Sequence, residues 1–509
     1  MYVGLVVTIC FVLCATGSLG MSLSRTKAYD EIRATIVDAE ASYGMGGKVF
    51  LNSDELRVDR TLRAMKKNEL QSADRGLPAA GMHFFDAKPL IENSSIYGAL
   101  KLMPKGAILH LHNSAGVSSS WVIKNLTYRQ EAKLCQAEDR YYLTVRSLNN
   151  CPESQTRLIA DMRKERQKDV DAFDEWLETL INMKMKPSRY GQATIDELWV
   201  DFERCFDAIK GFLQYKPFFE AYHRRLLHEF HKDNVYYIEL RMSFSKVFDA
   251  DGKEYGPPEV AYMLYRIMDD FRRQNPTFQG LKLIVAKHKN MSNAELASAL
   301  KLYESLSTTF PGFVVGFDLV GQEDMHRSLK SFASLLLQPI SSGPPKYFFH
   351  AGETVGYLSE ADENVIDAVL LDTKRIGHGY ALIKHPILWH TVQRKQIVLE
   401  VCPISNQVLG LVRDLRNHPA SFYVAQNIPI TITSDDPGFW DAVGVTFDYY
   451  YAFMAIAPQA GLGFLKQLVW NSVRFSSLSD EERQNITSTM EKQWALFVQE
   501  MAREAGSEA

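Results

Sequence analysis

The feature that most constrains this chain is an alternation that starts near residue 106 and persists through "ITITSDDP". Short apolar runs, "AILHLH", "VYYIELRMSF", "LKLIVAKHK", "FVVGFDLVG", "YFFHAGE", "RIGHG", "IVLEVCPIS" and "ITITSDDP", are separated mostly by stretches with helix-like spacing. Near-continuous apolar runs of this length suit strands buried on both faces of a parallel sheet, where helical crossovers cover those faces. One crossover, "SNAELASALKLYESL", opens with Ser292 and Glu295 at capping-box spacing. Eight runs with helical crossovers predict an α/β fold, a (β/α)8 TIM-type barrel. A doubly wound open sheet would use the same alternation.

In such a barrel the chemistry gathers where strands end and the following loops begin. His110 and His112, Gly321 with Glu323, His350 with Glu353, His378, and the pair Asp435–Asp436 all fall at strand ends. Residues i and i+2 of a strand share a face, so "HLH" aims two imidazoles at one point. A lone His-x-His suits a packed core pair equally well. Recurrence at several strand ends directs His110, His112, His350 and Asp435 to one divalent ion, and imidazole with carboxylate is a zinc donor set. Gly352 permits a tight turn that would set Glu353 beside the metal without ligating it, where a carboxylic acid can protonate substrate. His378, between glycines, would either hold the attacking water or accept its proton. Of the last pair, one Asp would face the metal and the other the substrate.

The first twenty residues, "MYVGLVVTICFVLCATGSLG", read as a secretory signal peptide over 1–20, although no Lys or Arg precedes the apolar part. An uncleaved anchor is the other reading, but the run is short for a span of about 20 residues. No later stretch is long and apolar enough to span a bilayer. Residues 21–100 read as a helical extension; "LRVDRTLRAMKKNELQSA" within it suits a solvated amphipathic helix or a docking and dimerisation element equally. The barrel, 101–509, is interrupted by a charge-rich insertion at about 125–186. Within the insertion, Cys135 and Cys151 flank a polar stretch that a disulfide would close under oxidising conditions, while Cys205 and Cys402 sit in apolar contexts as buried thiols. Sequons at Asn93, Asn125, Asn290 and Asn485 fit a secreted glycoprotein. A formal charge of −4 with no long basic run gives no attraction to nucleic acid.

Taken in order, "HLH", "HAGET", "RIGHG" and "SDDP" resemble the adenosine deaminase family. The leader, "MHFFDAKPLIE", the insertion, "GFDLVGQED" and "EVCPISNQVLGLVRDLRNHP" resemble its secreted branch, the adenosine deaminase growth factors. The resemblance implies one zinc ion per subunit, held by His110, His112, His350 and Asp435. It implies that Glu353 protonates purine N1, that His378 orients the attacking oxygen, that Asp436 contacts N7 and that the Gly321 backbone contacts N3. Trp199, in "ELWVDFE", matches a tryptophan near the nucleoside. Asn113 falls at a ribose contact, with an amide in place of a carboxylate. The implied reaction adds water, activated on zinc, to purine C6 and converts adenosine, together with 2′-deoxyadenosine, to inosine and ammonia. The resemblance also implies a homodimer through the N-terminal helices, read as a growth-factor-type domain, and leaves room for a cell-surface receptor or glycan as partner. Two rivals stand beside this: a secreted signalling protein whose barrel is secondary, and a related metallohydrolase acting on AMP. Cytidine-type deaminases are excluded, since their "PCxxC" zinc motif has no counterpart beyond "VCPIS".

Overall fold

Eight short strands carry the barrel: β1 (Gly106–His112), β2 (Val235–Met242), β3 (Gly280–His288), β4 (Val314–Val320), β5 (His350–Ala351), β6 (Arg375–His378), β7 (Val398–Val401) and β8 (Ile430–Ile432). They come from a computed structural model that describes residues 22–72, 77–138, 140–147, 151–166, 169–184, 191–340 and 343–507. The apolar leader read over residues 1–20 lies outside the described residues.

β1 to β4 form one parallel run and β5 to β8 another, each in chain order. Two seams join the runs. Phe317 N–H donates to Lys346 O (2.9 Å) and Phe348 N–H to Phe317 O (3.0 Å), linking β4 to the approach of β5. His112 N–H donates to Asp435 O (3.1 Å) and Asp435 N–H to His110 O (3.2 Å), tying β1 to the residues just after β8. An open sheet would lack the second seam, so the barrel is closed. Helices cross between strands, among them Pro257–Gln274, Asn293–Thr309 and Glu360–Leu370. The Ser292/Glu295 capping box starts the second of these as its spelling predicts.

The insertion folds as a three-stranded antiparallel sheet, with Lys133–Ala137 between Arg140–Thr144 and Thr156–Leu158. Cys135 and Cys151 are disulfide-bonded and pack with Tyr142 in a small core of their own. Cys205 and Cys402 are free and buried. This sheet lies against helix Ile195–Leu213, where a Cβ on Gly211 would come 2.6 Å from the Leu143 carbonyl oxygen. Only glycine permits that approach. The insertion therefore backs the helix that carries Trp199.

Helix Ser53–Ser72 docks on its own barrel rather than facing water. Lys66 is buried and donates to the carbonyls of Phe453 (2.8 Å) and Ala460 (2.8 Å), which a helix end would otherwise leave unpaired. Burial pushes its amine down to about 7. Glu55 accepts from Trp494 Nε1 (2.7 Å) and from Lys466 (2.6 Å) in the C-terminal region. Helix Ser22–Tyr43 differs, because Tyr29, Ile36 and Val37 are exposed on it. Among the described residues no helix is long and apolar enough to cross a membrane.

Candidate active site

β1 ends with His110 and His112, β5 opens with His350, and the chain leaving β8 brings Asp435 across the seam to β1. One ligand atom from each of these four residues lies within 4.8 Å of the others. His110 Nε2 and His112 Nε2 stand 3.1 and 3.2 Å from Asp435 Oδ1.

The hydrogen-bond directions show what this cluster can hold. His110 Nδ1 is 2.9 Å from Glu400 Oε2, and His350 Nδ1 is 2.7 Å from Asp318 Oδ2. An ionised carboxylate only accepts, so each neutral ring carries its hydrogen on Nδ1 and turns a bare Nε2 lone pair inward. His110 Nε2 and Asp435 Oδ1 are both buried without a hydrogen-bond partner, lone pair facing lone pair. A bound cation relieves that arrangement, and carboxylate–histidine pairs are the usual outer support of a zinc site. The residues fit a divalent ion of the zinc type.

Beneath them, Arg241 bridges the two supporting carboxylates, Nε to Asp318 Oδ2 (2.6 Å) and Nη2 to Glu400 Oε2 (2.7 Å). It also donates to the carbonyls of Leu109 (2.9 Å) and Phe348 (3.2 Å). Arg375 pairs with Glu239 (2.7 Å) and with Glu400. Two guanidiniums thus face three carboxylates in a layer with essentially no solvent access, and the surplus negative charge favours a bound cation above.

Burial, with Asp435 and Glu323 as like charges, drives the Glu353 carboxyl well above the usual range, so it stands as a neutral acid. Its loop is held by Gly352 N–H and Glu353 N–H donating to Glu323 (3.1 and 3.0 Å). Burial pushes the His350 ring down to about 3, which keeps it neutral as a ligand must be. His378 Nε2 lies 3.5 Å from Glu353 Oε1 and 3.8 Å from Asp435 Oδ2. His378 and Asp435 both adopt left-handed backbone, φ 59° and 58°, as the chain turns out of its strand at each of these positions.

Above the cluster opens a cavity of about 490 Å³, within the range of small-molecule sites. His112, His350, Glu353, His378, Asp435 and Asp436 line it, and His110, fully buried, lies outside the lining. Asn113, Trp199 and Gly321 line the same cavity. All the residues singled out for metal, proton transfer and substrate contact therefore meet at one place. The sequons lie apart from that group on exposed Asn93, Asn125, Asn290 and Asn485, the third of these two residues from the cavity lining.

Sequence reasoning passed over His288 and Glu203, which also line the cavity. His288 Nδ1 accepts from Asn290 N–H (3.1 Å), so its Nε2 carries the hydrogen and faces Glu203 Oε1 (3.4 Å). His326 Nε2 is 3.9 Å from the same oxygen. The three could group around a metal by distance, but this tautomer makes His288 a donor at the cavity wall rather than a ligand. A Cβ on Gly321 would run into the His288 ring, so glycine there makes room for it. Both signals were available. His288 ends a strand like the other histidines, and Trp199, Phe202, Glu203 and Phe206 share one helix face by spacing.

The chain matches the Adenosine deaminase family over residues 180–493 and the Adenosine/AMP deaminase N-terminal family over residues 8–100. It is 37% identical over 482 residues to "Adenosine deaminase 2" of Sus scrofa, covering 93% of this chain and 94% of that protein. An "Adenosine deaminase" of Lutzomyia longipalpis is 36% identical over 481 residues, covering 92% of this chain and 93% of the relative. Among solved structures, an amidohydrolase from Burkholderia ambifaria with bound zinc superposes with TM-score 0.55 at 16% identity, covering 80% of this chain and 95% of its own. At that identity the likeness speaks for the barrel fold.

Proposed function

The chain belongs to the adenosine deaminase family and is a hydrolytic deaminase, and from that premise we propose that it is a secreted, zinc-dependent enzyme converting adenosine and 2′-deoxyadenosine to inosine and ammonia. The observation that carries this reading is the convergence of one ligand atom each from His110, His112, His350 and Asp435, with the lone pairs of His110 Nε2 and Asp435 Oδ1 buried and unpartnered, beside a neutral Glu353.

A zinc ion held by those four residues, one per subunit, supplies a Lewis acid that makes water nucleophilic near neutral pH. The rest of the chemistry falls to side chains. Glu353, neutral and lining the cavity, hands its proton to purine N1, which makes C6 electrophilic. His378, beside Glu353 and Asp435, orients the incoming oxygen toward that carbon. Burial and the adjacent Asp435 raise the Asp436 carboxyl well above its ordinary value, so it suits donation to purine N7. The Gly321 backbone faces N3, Trp199 closes over the nucleoside, and Asn113 and His288 offer hydrogen bonds at the ribose end. Glu203 and Asp207 line the cavity beside Lys210 and Lys287, so no single-sign field draws in a phosphate. That favours nucleosides over AMP.

The test is direct. Purified protein should release inosine and ammonia from adenosine, and a chelator should abolish turnover until zinc is restored. Parallel assays with 2′-deoxyadenosine and AMP should rank the monophosphate last. Turnover that survives complete metal removal would overturn the reading.

Secretion, glycans on the four exposed sequons and a receptor or glycan partner belong to the same proposal. So does a homodimer formed by the extension at 21–100, where Tyr29 and Ile36 repeat at seven-residue spacing on the first described helix. Sedimentation of the full chain should give twice the protomer mass; a monomer at micromolar concentration would refute the dimer.

A further inference from the structure

The motif "EVCPISNQVLGLVRDLRNHP" contributes no residue to the chemistry above, yet two of its polar side chains, Asn406 and His418, are each only 1% exposed. They connect to His378 through a chain of donors whose direction is fixed at its far end. Ala420 N–H reaches His418 Nδ1 at 3.0 Å. A backbone amide only donates, so His418 Nδ1 presents its lone pair. Burial pushes His418 down to about 3, so the ring is neutral and carries its single hydrogen on Nε2. That hydrogen goes to Asn406 Oδ1, 2.9 Å away. The amide orientation is now settled, and Asn406 Nδ2 donates to His378 Nδ1 at 3.1 Å. With Nδ1 accepting, the His378 ring must carry its hydrogen on Nε2, the nitrogen nearest Glu353 and Asp435.

From this geometry we infer that Asn406 and His418 are positioning residues that set the tautomer of His378, making its Nε2–H a donor that orients the attacking oxygen rather than a base that takes its proton. The inference rests on the deaminase reading for its catalytic consequence and on hydrogen bonding alone for the tautomer. It decides between the two roles the sequence left open for His378. Proton acceptance then falls to Glu353, which is left as a carboxylate once its own proton has gone to purine N1. Packing reinforces the chain: the Tyr380 ring meets His418 edge-on at 5.3 Å between centroids, fixing the plane in which Nε2 must point.

Asn406→Asp tests it with a side chain of the same shape that only accepts. Placed between two imidazoles, a carboxylate draws the His378 hydrogen onto Nδ1 and leaves Nε2 bare. Nitrogen-15 spectra of histidine-labelled full-length protein, with His378 assigned by the His378→Gln variant, should show a protonated Nε2 and bare Nδ1 in the wild type. Asn406→Asp should show the reverse. Its kcat for adenosine should fall about 10–100-fold, the usual cost of losing an outer-shell partner, with KM unchanged. His418→Gln, which restores an amide N–H toward Asn406 Oδ1, should keep the wild-type pattern and most of the rate, while His418→Leu should not. An Asn406→Asp protein with the wild-type tautomer, or with a reversed tautomer and unaltered kcat, overturns the inference. A wild type that shows the tautomer but leaves adenosine unchanged would instead sink the deaminase reading, so the two failures are distinct.

Discussion

Glu353→Gln is expected to lower kcat for adenosine by about 10²–10⁴-fold, the usual contribution of a positioned general acid, while KM and zinc content stay near wild type. The substitution keeps the size of the side chain and a hydrogen-bonding head. It removes the one thing the site has arranged for, a carboxyl held neutral by burial and by the Asp435 and Glu323 charges around it. Glutamine can still point an N–H at purine N1, but it cannot transfer that hydrogen as the ring accepts charge. Zinc content should hold because Glu353 is not among the four atoms that converge as ligands. The loop should hold as well, since Gly352 and residue 353 anchor to Glu323 through backbone N–H groups that the change does not touch. Wild-type turnover in this variant, with zinc still bound, would assign the proton to another group.

What the sequence made legible follows from how parallel strands look when written out. Buried on both faces, they appear as apolar runs, and all eight strands fall on the runs marked from the sequence, β1 and β3 starting one glycine earlier at Gly106 and Gly280. Their functional ends stand out because His112, His350, His378 and Asp435 interrupt or follow apolar spelling. Charges inside the runs were harder to interpret. Glu239 and Arg241 in "YIELRM", Asp318 in "GFDLV" and Glu400 in "VLEV" look like isolated polar residues, and nothing local says that they meet across the barrel interior. The i, i+2 spacing of Glu239 and Arg241 was the available hint, since it puts both on one face of β2. Asn406 and His418 lay further from view. Their connection depends on how helix Pro403–Val408 and the segment before Ala420 fold over β6, which no periodicity encodes. For the helix carrying Lys66 the spelling suited a solvated or a docking element equally, and only the acceptor carbonyls of Phe453 and Ala460 decide for docking.

Arg241→Met should destabilise the folded chain by about 3–5 kcal/mol, because removing one member of a buried ionic cluster leaves the others uncompensated. Methionine fills much of the volume, so the cost is electrostatic rather than a cavity. Asp318 and Glu400 would lose the guanidinium that bridges them at 2.6 and 2.7 Å, and the carbonyls of Leu109 and Phe348 would lose a donor. An unfolding entropy of about 2.1 cal/mol/K per residue translates that loss into a Tm lower by roughly 3–5 °C for a chain of this length. The second consequence reaches the metal. With Arg241 gone, the freed carboxylates take up protons more readily, and a protonated Glu400 or Asp318 no longer demands the Nδ1 hydrogen of His110 or His350. The inward Nε2 lone pairs are then no longer enforced, and zinc affinity should fall about 10–100-fold, as it does when outer-shell partners are lost. Arg241→Lys separates the effects. It keeps one positive charge but cannot span both carboxylates, so stability should recover more than zinc affinity does. Arg241→Met protein that melts with the wild type and binds zinc equally well would show that the imidazoles are aimed by packing alone.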